Sequence, residues 1–414
     1  MINTNKKYLI DLGGMPFTLS NCTRNQYRLI AHLSNEVDIN ALQKAVNLVL
    51  PRFPMYTITI NKKWNSLREL EVVDTKIQVT KYQNKFQPFN IKSTEPLFRI
   101  MYGEKFICVE MFHSLTDANG CLTFLNSILA CYYEVLGQQV DKTNIISFNS
   151  DCKDIGLEDS FFKYAEKTKA KINPAKSLFS KSFHNKCKVL PDRQGVVVTY
   201  SLSVDELKKV AKQYNATLHE YLTTILCLAV NQLKSETNSK KCVRIQMPIN
   251  LRKRYPSESL RNFVATTQFD TKNTDKQTIL NEFKKYLKLA TCDNELKAFM
   301  QNAVSLMHGV LRFLPRFIGD FMLKTGDKIL GEKANSTSFS NIGVVNTNLH
   351  INGVESYEFI EGTPFYISNL TSAISYQNIC NFTFSKNTQD EKFEHYFLEE
   401  LKKDNIIPKK VMIK

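Results

Sequence analysis

The chain is 414 residues long, with a hydrophobic share of 43% and a charged share of 23%, the composition of a globular protein large enough for two domains or one bilobal unit. No apolar run reaches the ~18–20 residues that span a bilayer, and the opening MINTNKKYLIDLGG lacks an apolar stretch with a small-residue cleavage site, so the cytoplasm is the expected location. The net charge of +15 suits nucleic acid, but the lysines run along the whole chain without any nucleic-acid-binding pattern, so no such partner is expected.

Ten cysteines are scattered with no CxxC pair. Most lie in apolar stretches such as FICVEMF and ILCLAV, where a reduced thiol packs as a small hydrophobe, so neither a disulfide framework nor a metal site is expected. In chain order, QYRLIAHL reads as a strand, and VDINALQKAVNLVL (37–50) as a helix capped by Asp38, with Leu42, Val46 and Leu50 on one face and Pro51 and Pro54 ending it. MYTITI (55–60) and LRELEVV (67–73) form strands about the turn KKWN, and LFRIMYG (97–103) pairs with KFICVEMF (105–112) as a second hairpin. A helix follows from Ala118 to Gly137. Residues 138–192 are polar and lysine-rich, with one helix expected at 158–170, and read as a crossover.

A second half then opens like the first. The strand VVVTYSL (196–202) leads into a helix with Ser203 and Glu206 as a capping box. Thr217 and Glu220 form another at the head of LHEYLTTILCLAVNQL. VRIQMPIN (243–250) and VATTQFD (264–270) are strands, 276–290 a helix, and 301–325 mostly helical despite Pro315. STSFSNIGVV (336–345), PFYISNLTSAISYQ (364–377) and ICNFTFS (379–385) are strands, the last two a hairpin, and Asp390 begins a terminal helix. Strands and helices mixed throughout and arranged twice argue for two similar α/β lobes, residues 1–190 and 191–414.

The chemistry concentrates in CVEMFHSLTDANGCLTFL (108–125). An apolar strand runs into His113, Asp117 follows four residues later, then Gly120, then a helix. A strand end can hold an imidazole on a cleft rim, and its reference pKa of about 6.5 suits proton acceptance near neutrality. An aspartate one turn on commonly points away from the ring, and Gly120 permits a tight strand-to-helix passage. His32, His184, His219, His308, His350 and His395 have no motif context and read as structural or surface. VLRFLPRFIGDFML (310–323) is amphipathic and basic; packing inside the protein is the expected role, membrane contact the other.

HSLTDANG resembles the HxxxDG signature of the acyltransferase superfamily that includes chloramphenicol acetyltransferase, plant BAHD acyltransferases, non-ribosomal condensation domains and alcohol acetyltransferases, with bacterial alcohol-acetyltransferase-like proteins the nearest in look. Phe112 stands in place of the first histidine of the doubled form, and Ala118 in place of the glycine after the aspartate. MPINLRKRYPSESLRNF (247–263) is similar to the family stretch whose arginine binds the motif aspartate, which makes Arg252 the first-choice partner of Asp117 and Arg254 the second. SFSNIGVV (338–345) resembles the strand that lies across the family's tunnel, and both ends of the chain also match.

The resemblance implies two chloramphenicol-acetyltransferase-like lobes, each a mixed sheet flanked by helices, with a tunnel between them. It implies His113 as general base, Asp117 and Arg252 as structural support, and Ser340 or Asn341 as oxyanion donor, while Ser338, Ser340 and Asn341 read equally as ordinary strand and turn residues. No bound cofactor or metal is implied. An acyl-CoA thioester is the expected co-substrate, an acyl carrier protein the alternative donor, and a small-molecule or lipid-like alcohol or amine the acceptor. A monomer is expected. A binding protein that kept the fold and lost turnover is the reading outside enzymes, and the intact His113 speaks against it.

Overall fold

The computed structural model describes residues 8–9, 23–62, 68–72, 76–91, 95–150, 158–172, 181–191, 195–330 and 332–411. The first half forms β1 (Tyr8–Leu9), β2 (Gln26–Leu33), α1 (Ile39–Val49), β3 (Ile58–Lys62), β4 (Arg68–Val72), β5 (Thr80–Lys81), β6 (Phe98–Tyr102), β7 (Phe106–Phe112), α2 (Ala118–Val135) and the short α3 (Ser160–Tyr164). The second half forms β8 (Val196–Ser203), α4 (Val204–Gln213), α5 (Leu218–Glu236), β9 (Val243–Asn250), β10 (Val264–Thr271), α6 (Lys276–Ala290), α7 (Asp293–Val304), a π-helical turn (Ser305–Leu311) and α8 (Arg316–Leu330). It closes with β11 (Thr337–Val344), β12 (Val354–Glu361), β13 (Asn369–Tyr376), β14 (Ile379–Lys386), α9 (Lys392–Lys403) and β15 (Lys409–Val411). Most of the expected turn KKWN, and Cys22 and Cys152, lie outside the described residues.

Local chemistry starts the helices. The Asp38 carboxylate accepts from Ala41 N at 2.9 Å, turning Leu42 and Val46 into the core. Thr217 and Glu220 make the full reciprocal box at α5. At α4, Ser203 Oγ accepts from Glu206 N at 3.3 Å, and Asn378 takes the neighbouring donors, its carbonyl from Val204 N and its side chain from Asp205 N. The helix expected at 158–170 stops at Tyr164, because the next residues bond to α7 instead. Thr168 Oγ1 donates to Asn294 O at 2.8 Å, and the Glu295 carboxylate accepts from the amides of Lys171 and Ile172.

The molecule is two-lobed, with a mixed sheet in each lobe. The first lobe holds a five-stranded sheet in the order β12-β2-β7-β6-β5, antiparallel except for β5 beside β6. Residues of α1 and α2 share its apolar core. The second holds a seven-stranded sheet, β10-β9-β11-β13-β14-β8-β15, with β11 parallel to both β9 and β13; α5, α6 and α9 pack on it. A third sheet, β1-β4-β3, is small.

Two strands weld the lobes. β12, from the second half, pairs along its length with β2. Its carbonyls at Tyr357, Phe359 and Glu361 accept from Asn381, Ser372 and Ser385 of the other sheet. The buried Glu358 sits between His32 of β2 and Thr199 of β8. β11 crosses in the other sense: Phe339 belongs to the second-lobe core, while Ile342 packs on the first. A bulge between Asn341 and Gly343, with Gly343 at φ +91°, lets the strand turn between them.

Candidate active site

β7 is buried at every position and flanked on both sides by partners, β2 and β6, so its end is fixed to within the tolerance of a sheet. The pairing stops where the His113 amide donates to Asn25 O at 2.8 Å. A turn follows, Asp117 caps α2, and the partly buried His113 stands on the corner.

Asn262 grips that corner from the second lobe. Its Nδ2 donates to the His113 carbonyl at 3.1 Å, and its Oδ1 faces His113 Nδ1 at 3.2 Å. The first contact fixes which end of the carboxamide is oxygen. The second then requires the proton on Nδ1, leaving Nε2 with the lone pair. Tyr27 packs edge-on against the imidazole, ring centres 5.1 Å apart, and its hydroxyl donates to Thr116 O at 3.0 Å. Burial holds the His113 pKa below the usual histidine range, with the Asp117 charge and the Asn262 bond only partly offsetting it. The ring is therefore neutral and basic at physiological pH.

Asp117 faces away from this proton. Oδ1 accepts from the amides of Asn119 and Gly120, each at 3.1 Å, and Oδ2 from Arg252 Nη1 at 2.7 Å and Phe263 N at 2.9 Å. Arg252 also donates from Nε to Ser259 O at 2.9 Å and from Nη2 to Arg261 O. Arg254, the second-choice partner, reaches Thr291 Oγ1 instead. One carboxylate thus ties the start of α2 to the connection between β9 and β10, which also carries Asn262. At Gly120 the two segments come close together. This glycine lies in the first turn of α2 and not in a left-handed passage; a Cβ there would run into Thr116 Oγ1 and the Leu260 carbonyl, which are themselves hydrogen-bonded. Small size, not φ freedom, is what the position requires.

Ser340 and Asn341 lie on β11 at the bulge, both partly buried. The Asn341 side-chain oxygen accepts from Gly343 N at 2.9 Å, which leaves its Nδ2 as the donor end. Ser338 Oγ donates to Glu361 at 3.2 Å, a contact to β12. Sequence alone does not mark Asn262, because an asparagine carries no motif of its own; it meets His113 across 149 residues, and only the fold brings the two together. Among the described residues no cluster of metal-ligating side chains occurs, and no helix is long and apolar enough to cross a membrane. A cavity of about 710 Å³ opens elsewhere, between β10, α6 and α7. In its lining Arg244 pairs with Asp270 and Glu295 bonds the backbone at 171–172, and the lining holds no histidine.

Neither a family model nor a curated protein sequence matches the chain. Solved structures do match. TRI101 of F. sporotrichioides, in complex with coenzyme A and T-2, superposes over 98% of this chain and 100% of its own at 12% identity and a TM-score of 0.64. The first condensation domain of CDA synthetase covers 96% of each chain at 9% identity with a TM-score of 0.64. The trichothecene 15-O-acetyltransferase TRI3 from Fusarium sporotrichioides covers 95% of this chain and 94% of its own, at 11% identity and a TM-score of 0.61. The fold is that of the two-lobed acyltransferases and condensation domains. At these identities the likeness speaks for the fold, and the chemistry rests on the site.

Proposed function

We propose that the protein is an acyltransferase that moves an acyl group from a thioester to an alcohol or amine, with His113 as general base. The observation that carries this reading is the His113–Asn262 clamp: a neutral imidazole on a strand end, its Nδ1 proton spoken for and its Nε2 basic. In the reaction, Nε2 takes the proton of the acceptor hydroxyl or amine as the acceptor attacks the thioester carbonyl. The tetrahedral oxyanion collapses, the carbon–sulfur bond breaks, and the imidazolium protonates the departing thiolate. Ser340 Oγ or Asn341 Nδ2 is the proposed oxyanion donor. Asp117 and Arg252 hold the loop and move no proton.

Acyl-CoA is the favoured donor. The likeness to TRI101, which was crystallised with coenzyme A, supports it, as does a net charge of +15 that draws an anionic nucleotide thioester. The likeness to a condensation domain supports a carrier-bound thioester as the second reading. Thiol release from acetyl-CoA and a medium-chain acyl-CoA, across a panel of alcohols and amines, separates them. Acceptor-dependent release above the His113→Ala background at micromolar to low millimolar donor is the expected result. Release only from acyl groups on a phosphopantetheinylated protein would shift the donor to a carrier; release from neither would leave a binding protein of the same fold.

A further inference from the structure

The segment from the π-helical turn into α8 has two faces. Met307 and Leu311 are buried in the first-lobe core, with Leu306 and Leu323 packed against it. The opposite face meets solvent: Val310 is 43% exposed, Phe313 71%, Phe317 75%, Ile318 37%, Phe321 70% and Met322 43%. Six of the fourteen exposed large apolar side chains among the described residues thus fall within thirteen positions, which makes this a continuous patch and not the ordinary scatter of surface hydrophobes. The spacing explains it. Phe317 and Phe321 lie one helical turn apart, as do Ile318 and Met322, so two apolar stripes run side by side on α8. Phe162 of α3, also exposed, extends the ridge, its ring 5.5 Å from that of His308 in the π-helical turn.

Cations border the ridge. Arg312, Arg316 and Lys324 are exposed, while Asp320, the one carboxylate between residues 305 and 324, is partly buried and 4.0 Å from Arg316. We propose that this face is a membrane-docking surface, with the phenylalanines entering the headgroup–acyl boundary and the three cations meeting anionic lipid headgroups. Charge complementarity and shape select this occupant. The three rings stand out at 70–75% exposure with basic side chains beside them. A lipid interface takes in protruding aromatics without a matching surface, whereas a protein partner must supply a complementary hollow. The chain would lie on the membrane and not span it, and the assignment stands apart from the acyl-transfer reading because it is tested without turnover.

The test is co-sedimentation of the full chain with vesicles of phosphatidylcholine alone or of phosphatidylcholine mixed with phosphatidylglycerol. The wild type is expected to pellet with the anionic vesicles, less so as salt rises. F313S/F317S/F321S, altered only at exposed positions, should keep its melting temperature and lose binding about tenfold or more. R312Q/R316Q/K324Q should lose the preference for anionic over neutral vesicles. Wild-type protein that stays in the supernatant, or a serine variant that binds as the wild type does, overturns the proposal. So does a dimer in sedimentation velocity that the serine variant abolishes while vesicles bind neither protein, which would give the face to a second copy of the chain.

Discussion

His113→Ala is expected to lower the rate of acyl transfer by ~10²–10⁴-fold, the usual contribution of a positioned general base, while the fold survives. The fold should survive because the imidazole is only partly buried and the loop is held elsewhere: Asn262 keeps its bond to the backbone carbonyl of residue 113, and Asp117 keeps all four of its partners. The main structural cost is the Asn262 oxygen that loses the Nδ1 proton, about 1–3 kcal/mol for an orphaned buried acceptor. Circular dichroism and a melting curve establish the folded state, and steady-state thiol release gives the rate. Full activity in a folded variant would remove His113 from its role.

Asp117→Asn and Arg252→Ala should act on stability first and on rate second. The Asp117 side chain is 4% exposed and that of Arg252 15%, so each substitution strands a charge or its partners inside the interface between the lobes. Breaking such a pair costs ~3–5 kcal/mol. In Asp117→Asn the carboxamide keeps an oxygen for the Asn119 and Gly120 amides but turns a donor toward Arg252 and Phe263 N, which are donors themselves. In Arg252→Ala the carbonyls of Ser259 and Arg261 lose their donor as well. Denaturant unfolding of both singles and the double variant closes the cycle. The double should be less damaged than the sum of the singles, since once one charge is gone the other change no longer leaves its partner charge unpaired. Additivity within ~0.5 kcal/mol would mean the two side chains are not coupled.

The sequence carried what depends on neighbours in sequence. The strand–histidine–aspartate–helix order around His113, the caps at Asp38 and Thr217 and the three hairpins are all short-range patterns, visible as apolar period and as polar residues at helix starts. What stayed hidden depends on contacts between distant segments. β12 pairs with β2 across more than 300 residues, and its glutamates break the alternation; Glu358 is buried because His32 and Thr199 wait for it. Asn262 has no signature until the β9–β10 connection is laid against the His113 loop. The amphipathic stretch at 310–323 was legible as amphipathic, but which of its faces the protein covers is decided by the first-lobe core that Met307 and Leu311 enter.

Catalysis by this site needs a neutral His113 whose Nδ1 is held by Asn262 and whose Nε2 takes the proton. The pH dependence of kcat/KM in the wild type and in Asn262→Asp tests this most directly. The folded-state pKa of His113 is lowered by burial, so the acid limb of the profile, where the ring protonates, should have its midpoint below about 6.5. A carboxylate placed on Nδ1 favours the imidazolium, so in Asn262→Asp the same acid limb should move to higher pH. A limb with its midpoint below about 6.5 in the wild type that moves up in the variant is the predicted result; a limb unmoved by Asn262→Asp, or a wild-type profile with no acid limb, would contradict the assignment of the base.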